Sequence, residues 1–315
     1  MRILLVKTSS LGDVVHNLPV ASDILAVRPG SRIDWVVEES FAAIPRLNAG
    51  VRRVFPVTLR RWRASWWRAA TRREIARFAD GLKAETYDAV IDTQGLLKSA
   101  LVAWVARGTR YGLDFASARE PLAPFYDRTF SVPWTLHAVE RNRALAAQAL
   151  GYTVPNGVDY GINARAAGFD WLPAAGYAVL LHASSAPRKL WAEERWVELG
   201  GRLAACGRCC VLPWGDPEER ARSEQLARAI PRAVVPLQLA LAEAAALLAG
   251  AAAVVGVDTG LTHLAGALKV PTVGVYCDTD PAATGLYGCA RAASLGGIGT
   301  PPSADEVWVA LERLF

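Results

Sequence analysis

The chain predicts an α/β protein of two doubly wound units, each a parallel sheet with helices on both faces. Three observations carry that prediction. Short continuous apolar runs alternate with helical patterns through most of the 315 residues, as parallel strands covered on both faces require. The length suits two domains of about 150 residues better than one. The alternation pauses once, at 152–176 (YTVPNGVDYGINARAAGFDWLPAAG), a Gly-, Pro- and turn-rich stretch that reads as a linker. The expected domains are therefore 1–160 and 161–315, and ligand sites in such units lie at the carboxyl ends of the strands, in the crevice between them.

In order, RILLVK (2–7) is the first strand, followed by a helix through about Ala26. Strands RIDWVVEE (32–39) and VRRVFPV (51–57) precede a long Arg/Trp-rich segment, then strand YDAVIDTQ (87–94) and helix LLKSALVAWVARG (96–108). Helix HAVERNRALAAQALG (137–151) stops at Gly151, the residue type that most often ends a helix. The second half restarts with strand YAVLLHASS (177–185), helix 193–207, strand CCVLPWG (209–215), helix 218–230 and the short run AVVP. An alanine-rich helix, strand AVVGVD (253–258), helix GLTHLAGALK (260–269) and strand PTVGVYC (271–277) follow. The final ADEVWVALERLF is amphipathic, with Val307, Leu311 and Leu314 on one face. That face leaves open packing in its own unit or back on the first.

With 52% hydrophobic and 21% charged residues, a packed core is expected and disorder is not. MRILLVK lacks the long apolar run of a signal peptide. Residues 239–257 carry one charge, Glu243, but are alanine-rich and cut by Gly250. They read as a buried helix and a core strand, not a membrane span, so a soluble protein is expected. Five cysteines, three of them in CGRCC, form no disulfide framework and no zinc spacing, so no metal site is expected. The net charge of +5 is local: residues 52–77 hold nine arginines against Glu74, a surplus of eight, and the rest of the chain sums to −3. Such concentration points to a site.

Four loops carry candidate chemistry. After the first strand, KTSSLGDVVHN places Asp13 near a helix start, with Lys7, Thr8, Ser9, Ser10 and His16 around it. Helix capping and general-base catalysis both remain open for Asp13. In VDTGLTHLAG, Asp258 ends a strand, Thr259 and Gly260 make the turn, and the helix start is an anion site suited to a diphosphate. His263 on its first turn is either a phosphate donor or an interior histidine. HASSAPRKLW offers Ser184, Ser185 and Lys189 at the same kind of turn, where ordinary solvated charges are the alternative. In PWGDPEE, Glu219 is either a ribose ligand or an acid favoured at a helix start. Neither unit shows G-x-G-x-x-G, which disfavours an NAD-dependent oxidoreductase, and no Walker lysine motif supports an NTPase. TLRRWRASWWR (58–68) interleaves Arg with Trp, as nucleic-acid binders do. The patch is confined to one segment, and a phosphorylated, carboxylate-bearing amphiphile at a membrane surface fits it as well.

Taken in order, KTSSLGDVVHNLP, DWVVEE, LRRWR, DTQGLLKSA, AREPLA, LPWG and VDTGLTHLAGAL resemble the lipopolysaccharide heptosyltransferase I family, within glycosyltransferase family 9. The resemblance runs along nearly the whole chain. It implies the GT-B fold, two Rossmann-like domains facing each other across a cleft, and an inverting glycosyltransferase. The donor it implies is ADP-L-glycero-β-D-manno-heptose, and the acceptor Kdo2-lipid A. No cofactor or metal would be required, since lysine and a helix dipole can balance the diphosphate. It implies an enzyme of the cytoplasm, peripheral on the anionic inner face of the inner membrane of Gram-negative cells, with no nucleic-acid partner. Asp13 would be the general base. Ser184, Ser185, Lys189, Glu219, Asp258, Thr259, Gly260 and His263 would bind the donor. Lys7, Ser10, His16, Arg60, Arg61, Arg63 and Arg119 would bind the acceptor.

The chain departs from the family pattern in places. Serines stand at 184 and 185 where threonines are common, Ala64 stands where a basic residue often follows LRRWR, and HASSAPRKLW carries Ala-Pro where polar residues are usual. The rival readings are heptosyltransferase II, which shares a DTGLMH-like loop and adds the second heptose, and a non-catalytic two-domain nucleotide-sugar-binding protein.

Overall fold

The computed structural model describes residues 1–172 and 176–314, and the elements below are those of the described residues. The chain divides into two compact units, Met1–Ile162 and Asn163–Phe315. Of the linker expected at 152–176, residues 173–175 lie outside the described residues.

The first unit runs β1 (Arg2–Val6), α1 (Leu11–Val27), β2 (Arg32–Glu38), α2 (Ala43–Arg46), β3 (Val51–Val57), α3 (Leu59–Ser65), α4 (Ala69–Lys83), β4 (Thr86–Asp92), α5 (Leu97–Val105), β5 (Arg107–Leu113), β6 (Arg128–Phe130) and α6 (Ala138–Leu150). Its six parallel strands are ordered β3-β2-β1-β4-β5-β6. The reversal of direction at β1 and β4 is the position at which a doubly wound sheet opens a crevice. Ile3 to Val6 and Ala89 to Ile91 are fully buried because helices cover both faces of the central strands. On one face, Trp62, Leu82, Val102 and Ala103 from α3, α4 and α5 pack on Leu4, Val6 and Val90. On the other, α1 packs against α6, joined by a buried ion pair in which Arg143 donates to both oxygens of Asp23 at 2.7 and 2.9 Å.

The second unit runs β7 (Tyr177–Leu181), α7 (Glu193–Ala205), β8 (Cys209–Val211), α8 (Pro217–Ala229), α9 (Leu241–Ala249), β9 (Ala253–Val257), α10 (Gly260–Ala267), β10 (Thr272–Tyr276), α11 (Pro281–Thr284), β11 (Ala292–Gly296) and α12 (Ala304–Glu312). Its five parallel strands are ordered β11-β10-β9-β7-β8. The alanine-rich stretch is α9, buried along one face, followed by the core strand β9, and no described helix is long and apolar enough to cross a membrane. CGRCC ends α7 and enters β8, its cysteines free. The last helix is built into the core of its own unit, with Val307 and Leu311 fully buried.

Several expectations need correction. The helix expected to reach 108 ends at Val105, and Arg107 begins β5. Gly108 is the reason: its φ is +149°, and a Cβ there would lie 2.3 Å from the Tyr87 carbonyl oxygen. Only glycine lets β5 approach β4 so closely. Strands β5, β6 and β11 carry half-exposed, polar or small residues, so no apolar run announces them. AVVP contributes a single bridge, Val234 to Val211, rather than a strand.

Candidate active site

In the first unit the loop after β1 is pinned from below and from the side. The Trp35 indole donates to the Lys7 carbonyl at 3.1 Å. The Gln94 side-chain oxygen accepts the amides of Thr8 and Ser9, both at 3.0 Å, and Lys98 donates to the Ser9 hydroxyl at 2.6 Å. Asp92, fully buried at the end of β4, holds the Gln94 loop by accepting the Gln94 and Gly95 amides and the Tyr126 hydroxyl. Burial pushes its carboxyl up, against those hydrogen bonds.

Asp13 sits on the first turn of α1, where Oδ2 accepts the Ser10 amide at 2.8 Å and the Ser10 hydroxyl at 3.0 Å. The capping role is therefore real, but it uses one oxygen. No hydrogen bond reaches Oδ1 among the described residues, so that oxygen keeps its capacity to accept a proton. Asp13 lines a recess with Lys7, Thr93, Gln94, Arg119, Arg141 and Asn142 and is the only carboxylate in it. Lys7 is buried and donates to the Thr93 carbonyl at 2.8 Å and to Asn142 at 3.3 Å. Burial pulls its ammonium below the usual lysine range, while the charges of Asp13 and Asp92 push the other way. Arg119 is exposed and makes no hydrogen bond or ion pair among the described residues. Arg141 is gripped by the carbonyls of Ser117, Val132 and Pro133 and lies 3.8 Å over the Trp134 ring. Burial, then the charge of Arg119, lowers its pKa. One carboxylate among three cations suits an anionic ligand whose hydroxyl meets a base.

A second recess lies on the other flank of the same loop, lined by Ser10, Glu38, Leu59, Arg60, Arg63 and Lys98 among others. The arginine cluster is thus sorted by structure. Arg60 and Arg63 are exposed, with no ion pair among the described residues. Arg61 is turned away, donating to Glu74 at 2.6 Å and to Thr58 at 3.1 Å. Arg52 and Arg53 are bound to the fully buried Asp34 and to Glu85 and belong to the framework. His16 lines neither recess. It is 4% exposed, with its ring edge-on to His137 at 5.4 Å and its carbonyl accepting from Asn142. Its position is that of an interior histidine, apart from both recesses.

In the second unit, β9 delivers Asp258 to the start of α10. Gly256 makes this possible, because a Cβ there would lie 2.1 Å from Thr262 Oγ1, and Thr262 instead donates to the Val257 carbonyl at 2.8 Å. The Gly260 and Leu261 amides have no acceptor within the helix, so α10 presents free N–H groups. Asp258 is a hub: it accepts Lys189 Nζ at 2.7 Å, Thr279 Oγ1 at 2.9 Å, and bonds His263 Nε2 at 3.1 Å. Burial raises its carboxyl pKa, but the hydrogen bonds and charges of His263 and Lys189 outweigh burial and hold it well below the usual range. Lys189 reaches the hub because residues Pro187–Lys189 form a tight 3-10 turn.

Asp258, Lys189 and His263 were each expected to bind the donor. In the structure they bind each other, and Asp258 keeps two cationic or donor groups beside the α10 start. Thr259 and Gly260 stay partly exposed there. Ser184 and Ser185 lie on the β7 loop, with Ser184 Oγ 3.5 Å from the Ala186 amide. Glu219 caps the Gly215 amide at 2.7 Å through one oxygen, on the first turn of α8. Gln94, Lys98, Arg141 and Asn142 were not singled out from the sequence. The first two stand in the motif DTQGLLKSA, and only the fold gives them partners.

The chain is similar to known proteins along nearly its whole length. Residues 75–306 match the family model described as glycosyltransferase family 9 (heptosyltransferase). Lipopolysaccharide heptosyltransferase 1 of Pseudomonas aeruginosa is 50% identical over 291 residues, covering 91% of this chain and 82% of the relative. The structure of E. coli heptosyltransferase WaaC with ADP superposes with a TM-score of 0.91 at 44% identity, covering 100% of both chains. That of the same enzyme with ADP-2-deoxy-2-fluoro heptose gives 0.87 at 43%, covering 99% of each.

Proposed function

The chain belongs to glycosyltransferase family 9, the heptosyltransferases, and from that premise we propose that it moves L-glycero-D-manno-heptose from ADP-heptose to the Kdo of Kdo2-lipid A. The reaction builds the inner core of lipopolysaccharide. The observation that carries the mechanism is the lone Asp13 carboxylate among Lys7, Arg119 and Arg141.

Asp13 Oδ1 takes the proton of the attacking Kdo hydroxyl while that oxygen bonds to the anomeric carbon and ADP leaves from the opposite face, inverting the centre. The capping bonds from Ser10 hold the other oxygen still. Lys7 keeps the acid–base site positive and fixes the recess wall through Thr93 and Asn142. Arg119, Arg60, Arg63 and Ser10 bind acceptor carboxylates and phosphates, the guanidinium fork matching both. On the donor side, the Gly260 and Leu261 amides, Thr259, Ser184, Ser185, Lys189 and His263 meet the charge that grows on the departing diphosphate. Glu219 accepts from the ribose with the oxygen not used by Gly215. Asp258 acts through Lys189 and His263 rather than on the sugar. The enzyme works at the cytoplasmic face of the inner membrane, where its lipid acceptor lies.

The test is transfer of heptose from ADP-heptose to Kdo2-lipid A that carries no heptose. Turnover on that acceptor is expected. Transfer only onto an acceptor already bearing one heptose would assign the second step instead, and ADP-heptose binding without transfer would make the protein a binding module.

A further inference from the structure

The outward face of α5 carries no polar side chain. Leu97, Leu101 and Trp104 are 47%, 48% and 63% exposed. Their spacing of four and three residues puts them in one stripe. The opposite face, with Val102 and Ala103, is buried against the same sheet face that α3 and α4 cover. Between α3 and α4, Trp66 and Trp67 are also exposed, their rings edge to face at 6.4 Å. Arg68 follows them, and further along α4 Arg73 and Arg77 are exposed, all three without an ion pair among the described residues. Asp80 is the one exposed carboxylate of α4.

Exposed leucine beside paired tryptophans and unpaired arginines is the composition of a surface that lies in a lipid headgroup layer. The arginines supply charge complementarity to anionic headgroups. The helix that carries the stripe also borders the second recess, since Lys98, next to Leu97 on α5, lines that recess with Arg60 and Arg63. We propose that the outer face of α3, α4 and α5 is the membrane-docking surface, with Leu97, Leu101 and Trp104 entering the acyl boundary of an anionic bilayer. This rests on the reading of the acceptor as a lipid-anchored sugar, because docking here places the recess beside the headgroup that carries it.

The experiment uses the full chain and vesicles of phosphatidylcholine with or without phosphatidylglycerol, read by co-sedimentation. A triple variant, Leu97→Gln, Leu101→Gln and Trp104→Gln, is compared with Arg73→Gln/Arg77→Gln and with Trp104→Gln alone. Wild type should bind the anionic vesicles, the triple variant about tenfold more weakly or worse, and the single variant between them. The arginine variant should lose the preference for anionic lipid. All variants should transfer heptose to deacylated, water-soluble acceptor at the wild-type rate, which also reports their folding. Vesicle binding by the triple variant equal to wild type, or none by wild type, would overturn the proposal. A wild-type dimer in sedimentation equilibrium that the triple variant dissolves, without vesicle binding, would give the stripe to a second copy of the chain. Vesicle binding intact with transfer to neither acceptor would refute the reaction proposed above and leave the docking surface standing.

Discussion

Asp13 and Asp258 both lie between a buried central strand and the helix that follows it, Asp13 inside the first turn of α1 and Asp258 just before α10, and their hydrogen bonding differs. Asp258 is saturated by Lys189, His263 and Thr279. Asp13 spends one oxygen on Ser10 and keeps the other unbonded among the described residues, with its cationic neighbours lining the recess but not bonded to it. A carboxylate held on both oxygens by a lysine, a histidine and a threonine is a poor base and a good scaffold; one held by a single oxygen can still take a proton. The lesson is that position at a strand end does not assign a role; the unspent hydrogen-bonding capacity does.

That contrast can be broken most forcefully at Asp258. Asp258→Ala removes the acceptor shared by Lys189, His263 and Thr279, and should cost about 3 kcal/mol of stability, the low end for a broken buried pair because Lys189 is partly exposed. Urea unfolding measures it, and a cost below 1 kcal/mol would remove Asp258 as a hub. Arg119→Ala and Arg60→Ala, which lose free guanidinium groups, should each raise the acceptor KM about tenfold with the ADP-heptose KM unchanged. Equal effects on both substrates would place these arginines outside the acceptor site. Acid titration sharpens the comparison further. The unfolded chain protonates Asp258 near 3.8 and the folded chain only lower, so its contribution is complete above about pH 4 and lost as pH falls through the folded value. Wild-type stability should therefore fall more steeply below about pH 4 than that of Asp258→Asn. The smallest effect is expected at Arg61→Ala, whose exposed pair with Glu74 contributes about 0.5 kcal/mol or less. Its acceptor KM should stay within about twofold of wild type, in contrast to the adjacent Arg60, about 100° around the helix.

The polar loops were legible because phosphate and proton chemistry needs particular residue types at strand ends, and KTSSLGD and VDTGLTH carry them locally. What they bond to was not. Arg52 and Arg53 look like Arg60 and Arg63 in sequence, and only the register of β3 on β2, Arg53 opposite Asp34, converts them to framework. Arg141 hides inside an ordinary helical pattern, since the carbonyls and the indole that grip it come from residues 117–134. His16 follows Asp13 by one turn, yet the packing of α6 through His137 closes over it. Strand β5 was read as the end of a helix because the close approach of Gly108 to β4 is a tertiary fact with no local apolar run.

The central claim is that Asp13 is the base and Asp258 is not. Asp13→Asn keeps an oxygen for both Ser10 bonds, so fold and cap survive while the proton acceptor is lost. The decisive measurement is single-turnover heptose transfer to Kdo2-lipid A by Asp13→Asn beside wild type, with ADP affinity measured in parallel. A fall of about 10²- to 10⁴-fold in the transfer rate with ADP affinity unchanged is the predicted result. Transfer within about tenfold of wild type would contradict it and move the proton to another group of the recess.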